Sequence, residues 1–137
     1  MIRQYKSRLS GPILDRIDLC CTVQQVTHSS LLAKPTTPLN TISVQSLVMR
    51  ARQRQANRYG STNILNSDLT NRLLRQHAQL SAAARTFIDD AAIKLSLSAR
   101  AYMRVIKVAR TIADLQDSSS IEIEHMSEAI TYRQRPG

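Results

Sequence analysis

The chain has 137 residues, 42% of them hydrophobic, which suffices for the core of one ordinary domain or of a smaller domain with an extended segment. Four Tyr, one Phe and no Trp leave no stacking platform for single-stranded nucleic acid, so packing falls to Leu, Ile, Val and Ala, as in small helical bundles. A formal charge of +9 favours polyanions without choosing among nucleic acid, nucleotide phosphates and an acidic partner, and no apolar run approaches the roughly 20 residues of a membrane span.

Residues 1–23 open with a polar, basic lead. Ser10, Gly11 and Pro12 then start a short turn of helix, and apolar residues alternate at Ile17, Leu19, Cys21 and Val23. Alternation is a strand signal. No second convincing strand follows, so this one reads as severed from its sheet. Cys20 and Cys21 belong to the same strand, on opposite faces. With no CxxC pair and with His28, His77 and His125 scattered, neither zinc nor a disulfide framework is indicated, and a reducing cytoplasm is the expected location. The stretch from Gln24 to Thr41, with Pro35, Pro38 and several Thr, reads as a linker within residues 24–42.

Helical periodicity begins at Ser43, a candidate cap. Val44, Leu47, Val48 and Ala51 form the expected inner face, Arg50, Arg52, Arg54 and Arg58 lie mostly outside, and Gly60 marks the stop. A shorter helix from Asp68 or Thr70 to about Ala78 buries Leu69, Leu73 and Leu74. A third, capped by Ser81, aligns Ala84, Phe87, Ile88, Ala91 and Leu95. The fourth runs from Leu97 to Leu115, with Tyr102, Val105, Ile106, Ala109, Ile112 and Ala113 on an apolar seam. Opposite them Arg100, Arg104, Lys107 and Arg110 form a basic stripe. If Ser98 caps this helix, Arg100 sits where the helix dipole is already positive, which favours a phosphate docking at the same place. A last helix from about Ile123 to Arg133 turns Ile123, Met126, Ala129 and Ile130 inward, and His77 and His125 read as incidental. The expected fold is all-α: a compact four- to five-helix bundle over residues 43–134, preceded by an extended, poorly ordered N-terminal segment.

Two runs carry a resemblance. Tyr5 to Leu19, YKSRLSGPILDRIDL, resembles the end of the ATPase core in bacterial magnesium-chelatase-related AAA+ proteins of the ComM/YifB type. Leu95 to Leu115, followed by Glu124 to Arg133, is similar to the C-terminal lid of that family. Arg50 to Gln55 and Leu65 to Leu69 match in order and spacing between them.

The resemblance implies an ATPase that works as a ring, usually a hexamer, built from an α/β nucleotide-binding core and a helical lid. Residues 1–23 would be the end of that core and 43–134 the lid. Arg16 matches the arginine finger, the permanently cationic fork that stabilises charge on a phosphoryl group bound to the neighbouring subunit. Arg100 matches the sensor 2 arginine that contacts nucleotide in its own subunit, and Arg104 is a second nucleotide-binding candidate. ATP and Mg2+ would be bound by the intact parent and not tightly by this piece. The partners implied are the parent's own core, neighbouring subunits and DNA.

The chain has no G-x-x-x-x-G-K-[ST] and no apolar strand ending in paired acids, so hydrolysis by this chain alone is not expected, and Met1 reads as an artificial start. Weaker DNA-binding candidates are Arg50, Arg54, Lys107 and Arg110, whose simpler reading is a solvated face. Two other functions remain open: the lid of a magnesium chelatase motor in tetrapyrrole synthesis, and a free-standing basic module that binds DNA or protein.

Overall fold

The computed structural model describes residues 17–23, 25 and 40–133. Among these it contains five α-helices: α1 (Thr41–Tyr59), α2 (Asn71–His77), α3 (Ala82–Lys94), α4 (Ala99–Leu115) and α5 (Ile123–Thr131), with a 3-10 turn at Asn66–Asp68 before α2. The all-α reading holds for the described residues.

Polar residues set the helix starts by satisfying N–H groups that have no partner within the first turn. Asn40 Oδ1 accepts from the Ile42 N–H at 3.0 Å, so Asn40 caps α1 and Ser43 lies inside it, its hydroxyl donating back to the Asn40 carbonyl at 2.7 Å. Thr70, Ser81 and Ser98 cap α2, α3 and α4 by accepting from Leu73, Ala84 and Ala101. Helix α1 ends at Gly60, whose φ of +65° is costly for a residue with a Cβ.

Helix α4 is the central element. Its apolar seam packs on α5 and α2 and shares one core with α3, through Leu69, Leu74, Ile88, Ile121 and Met126. Ala109 and Ala113 on the seam are fully buried, where small side chains allow close helix approach. The loops entering α3 and α5 are pinned together: Ser81 N–H donates to the Ile121 carbonyl at 3.0 Å and Ile121 N–H to the Gln79 carbonyl at 2.9 Å.

Three expectations are corrected. The predicted inner face of α1 is not one: Val44, Leu47 and Val48 are 41%, 39% and 47% exposed, and the helix meets the bundle only in its C-terminal half, through Ala51 and Gln55. Arg54 and Arg58, expected outside, turn toward α4. Residues 17–23 form neither strand nor helix, with Ile17, Leu19 and Val23 exposed and Cys20 more covered than Cys21. The turn at Ser10 to Pro12 and most of the linker lie outside the described residues.

Candidate functional site

The start of α4 is capped by a side chain and carries an exposed cation. Ser98 Oγ accepts from the Ala101 N–H at 3.2 Å, and no acidic residue occupies the first turn. Arg100 is exposed there and makes no ion pair among the described residues, so its guanidinium adds to the positive end of the helix dipole. One turn on, Arg104 is mostly covered, its side chain 15% exposed, and its Nε lies 3.7 Å from the Asp18 carboxylate. Asp18, Arg104 and Arg133 line a small cleft floored by Ala101, Val105 and Ala129. Arg133 also donates to the Leu95 carbonyl at the C-terminal end of α3.

The far end of α4 is held by a buried ionic cluster. Arg110 and Asp114, one turn apart, are 0% and 1% exposed, and Arg110 Nη2 lies 3.2 Å from Asp114 Oδ1. Arg110 also donates to the Ser118 and Ser119 carbonyls at 2.7 and 2.9 Å, which folds the loop after α4 over its side chain. Asp114 accepts both terminal nitrogens of Arg58 from α1, one of them to Oδ2 at 2.9 Å, and the Asn66 side-chain amide at 2.9 Å. Asn66 is held in turn by Tyr59, Thr111 and Gln55. Arg54 bridges Asp114 and Asp117.

A buried charge persists only when paired and hydrogen-bonded, and Asp114 meets this condition with donors from α1, α4 and the 3-10 turn. Burial works against the Arg58 charge, but its hydrogen bonds and attraction to Asp114 outweigh that and raise its pKa. Burial lowers the pKa of Arg110, against the attraction of Asp114. The Nε groups of Arg54 and Arg110 are buried without a hydrogen-bond acceptor.

The sequence-derived candidates therefore separate. Arg100 and Arg104 share one end of α4, Arg104 already engaged with Asp18. Arg110 cannot be a surface DNA contact: it is fully buried, which corrects the solvated-face reading. At about 100° per residue, steps of four, three and three rotate Arg110 about 80° from Arg100 toward Ile106 and Ala113, so the stripe runs into the seam. Arg54 is 28% exposed and committed to carboxylates, Lys107 donates to the Ser67 carbonyl at 2.9 Å, and Arg50 is exposed. Arg16 lies outside the described residues.

Asp18, Arg133, Asn66 and Asp114 were not singled out from sequence; only the Arg110 and Asp114 spacing of four hinted at a pair. His125 is not incidental: buried, its Nδ1 accepts from the Glu122 N–H at 2.9 Å and its Nε2 lies 3.0 Å from Gln116 Oε1. His77 stands edge-on to the Tyr59 ring, 5.4 Å between centroids.

Among the described residues no group of three or more His, Cys, Asp or Glu could hold a metal ion, and no helix is long and apolar enough to cross a membrane.

The family model for the C-terminal part of magnesium chelatase subunit ChlI matches residues 39–133, and the model for subunit ChlI itself matches residues 1–31. The protein YifB of Escherichia coli is 39% identical over 131 residues, covering 95% of this chain and 25% of that protein. Competence protein ComM of Haemophilus influenzae is 37% identical over 132 residues, covering 96% and 25%. An uncharacterised protein of Mycobacterium tuberculosis is 31% identical over 133 residues, covering 96% and 26%. The chain thus spans about a quarter of the length of these curated relatives. With the C-terminal model covering the whole helical bundle, the chain belongs to the magnesium chelatase ChlI C-terminal family, with relatives that include YifB and ComM.

Proposed function

We propose that this chain is the helical lid of a ring-forming AAA+ ATPase, and that Arg100 contacts nucleotide phosphate from the first turn of α4. The observation that carries this reading is the asymmetry of α4. Its C-terminal half is locked into the bundle by Arg110, Asp114 and Arg58, while its N-terminal end presents an exposed arginine on a capped, electropositive helix start. A helix held this way moves as a rigid lever. A change in phosphate charge at one end then becomes rotation of the whole bundle, which suits the coupling of hydrolysis to motion. Arg100 supplies a permanent cation to charge developing on the phosphoryl group.

The phosphate loop and the magnesium ligands of such an enzyme would be supplied by residues other than those described, since no acidic cluster here fits the metal. DNA is the proposed substrate of the ring: one relative is named a competence protein, and the net charge of +9 suits a polyanion. Of the surface candidates Arg50 is the best placed, being exposed. The cytoplasm is the proposed location. A second reading, the lid of a magnesium chelatase motor, draws on the ChlI name of the matching models and predicts ATP turnover that responds to porphyrin.

The test is Arg100→Ala in a subunit that carries the ATPase core together with this chain. Turnover should fall by about 10- to 1,000-fold, the range for loss of one charge-stabilising donor. Unchanged turnover in assembled rings removes the sensor role.

A further inference from the structure

The N-terminal half of α1 carries an apolar stripe, Val44, Leu47 and Val48, that its own bundle leaves exposed. Two ion pairs show where this half points. Arg58 meets Asp114 in the last turn of α4 and Arg54 meets Asp117 just past it, so the residues before Arg54 run out beyond the C-terminal end of α4. Helix α1 has 19 residues and no acidic one. At about 100° per residue, the exposed Arg50 and Arg52 flank the stripe on either side.

A matching face lies toward the other end of the bundle. On the exposed side of α3, Thr86 and Ile93 fall within about 20° of each other, with Asp89 to one side and Asp90 to the other. Ile93 is 81% exposed. The C-terminal end of α3 leads through the short loop 95–98 into the N-terminal end of α4. The 17 residues of α4 span about 25 Å, so Ile93 and the overhanging half of α1 stand apart in one copy of the chain. An apolar stripe edged by arginines complements an apolar line edged by aspartates, and only two copies can bring them together.

We infer that these faces are the two sides of a head-to-tail contact between copies of this chain. The overhang of α1 lies on α3 of the next copy, Arg50 and Arg52 against Asp89 and Asp90. Pairing α1 with α1 would set arginine against arginine, which like-charge repulsion disfavours. Duplex DNA, the proposed polyanion for Arg50, offers phosphate charge but little apolar surface to cover Val44 and Leu47. Because the two faces differ, each added copy leaves one of each kind free, and the contact repeats from copy to copy. It adds a contact to the proposed ring without depending on Arg100 or on ATP turnover.

Sedimentation velocity of the whole chain tests this. One helix pair buries less than the roughly 1,200 Å² of a standard interface, so association is weak, and the weight-average mass should rise between about 10 µM and 1 mM. Salt raised from about 0.05 to 0.5 M should weaken it several-fold. Leu47→Glu spoils the α1 face and Ile93→Glu the α3 face. Each variant alone should sediment as one chain, while their equimolar mixture forms two-chain complexes and nothing larger, since one intact face of each kind remains. That recovery also shows that both variants fold; if either loses helical signal by circular dichroism, Val48→Glu and Thr86→Glu replace them. A mass that stays at one chain, association indifferent to salt, or association seen only with added duplex DNA overturns the contact. So does self-association of either variant alone, which for Ile93→Glu marks pairing of α1 with α1.

Discussion

Replacing Asp114 with Asn removes the carboxylate on which three arginines converge. The side chain keeps its size, but Arg110 is left at 0% exposure with only the Ser118 and Ser119 carbonyls, and Arg58 loses its two-pronged acceptor. Breaking a buried ion pair from one side costs about 3–5 kcal/mol, because the remaining charge stays out of water. At roughly 0.1 kcal/mol per residue, a folded body of the size of residues 41–133 has about 9 kcal/mol to lose, so the substitution removes a third to a half of it. In urea unfolding of the whole chain, followed by the helical circular dichroism signal, the midpoint should fall by about 2 M with an unchanged slope, and Tm by at least about 12 °C. In an Arg110→Met background the same substitution should cost at least about 1 kcal/mol less, since one of the stranded charges is gone. A cost below about 1 kcal/mol, or strict additivity with Arg110→Met, would refute the claim that this cluster holds α1 to α4.

Ser98→Ala should cost about 1 kcal/mol and Ser98→Gly only a few tenths, measured by the same unfolding curves, because Ser98 supplies the side-chain acceptor for the first turn of α4. Alkaline titration should show late ionisation of Tyr59 and Tyr102. Burial raises both phenols, with hydrogen bonding to Asp89 adding to Tyr102 and the Arg58 cation opposing at Tyr59. A folded pKa above the unfolded value near about 10 means that their stabilisation is complete below that pH and is lost as pH rises through the folded pKa. Tyrosinate absorbance should therefore grow together with loss of helical signal at high pH; ionisation well before unfolding would contradict the burial.

The local devices were readable in advance because each depends on a few neighbouring residues. Ser81 and Ser98 announce helix starts by hydroxyls that accept from the third residue on, and Gly60 announces a stop by tolerating positive φ. The seam from Val105 to Ala113 is a matter of period alone. The amphipathic reading failed on α1, where Val44, Leu47 and Val48 repeat with helical spacing yet remain exposed. Periodicity states that a helix has an apolar face, not that this chain supplies something to cover it.

The basic stripe of α4 shows the same division. Sequence placed Arg100, Arg104, Lys107 and Arg110 on one side of a helix, and that much follows from 3.6 residues per turn. Whether a charged face meets water depends on what crosses it, and here α1 and the 3-10 turn cross the C-terminal half, burying Arg110 and Asp114 while Arg100 stays exposed. The sequence by itself determined the helices, the caps at Ser81 and Ser98, the stop at Gly60 and the family. Tertiary contact alone decided which arginine is a buried strut, which is clasped to Asp18 and which faces outward, because the environment of a charge is set by residues as many as 86 positions away.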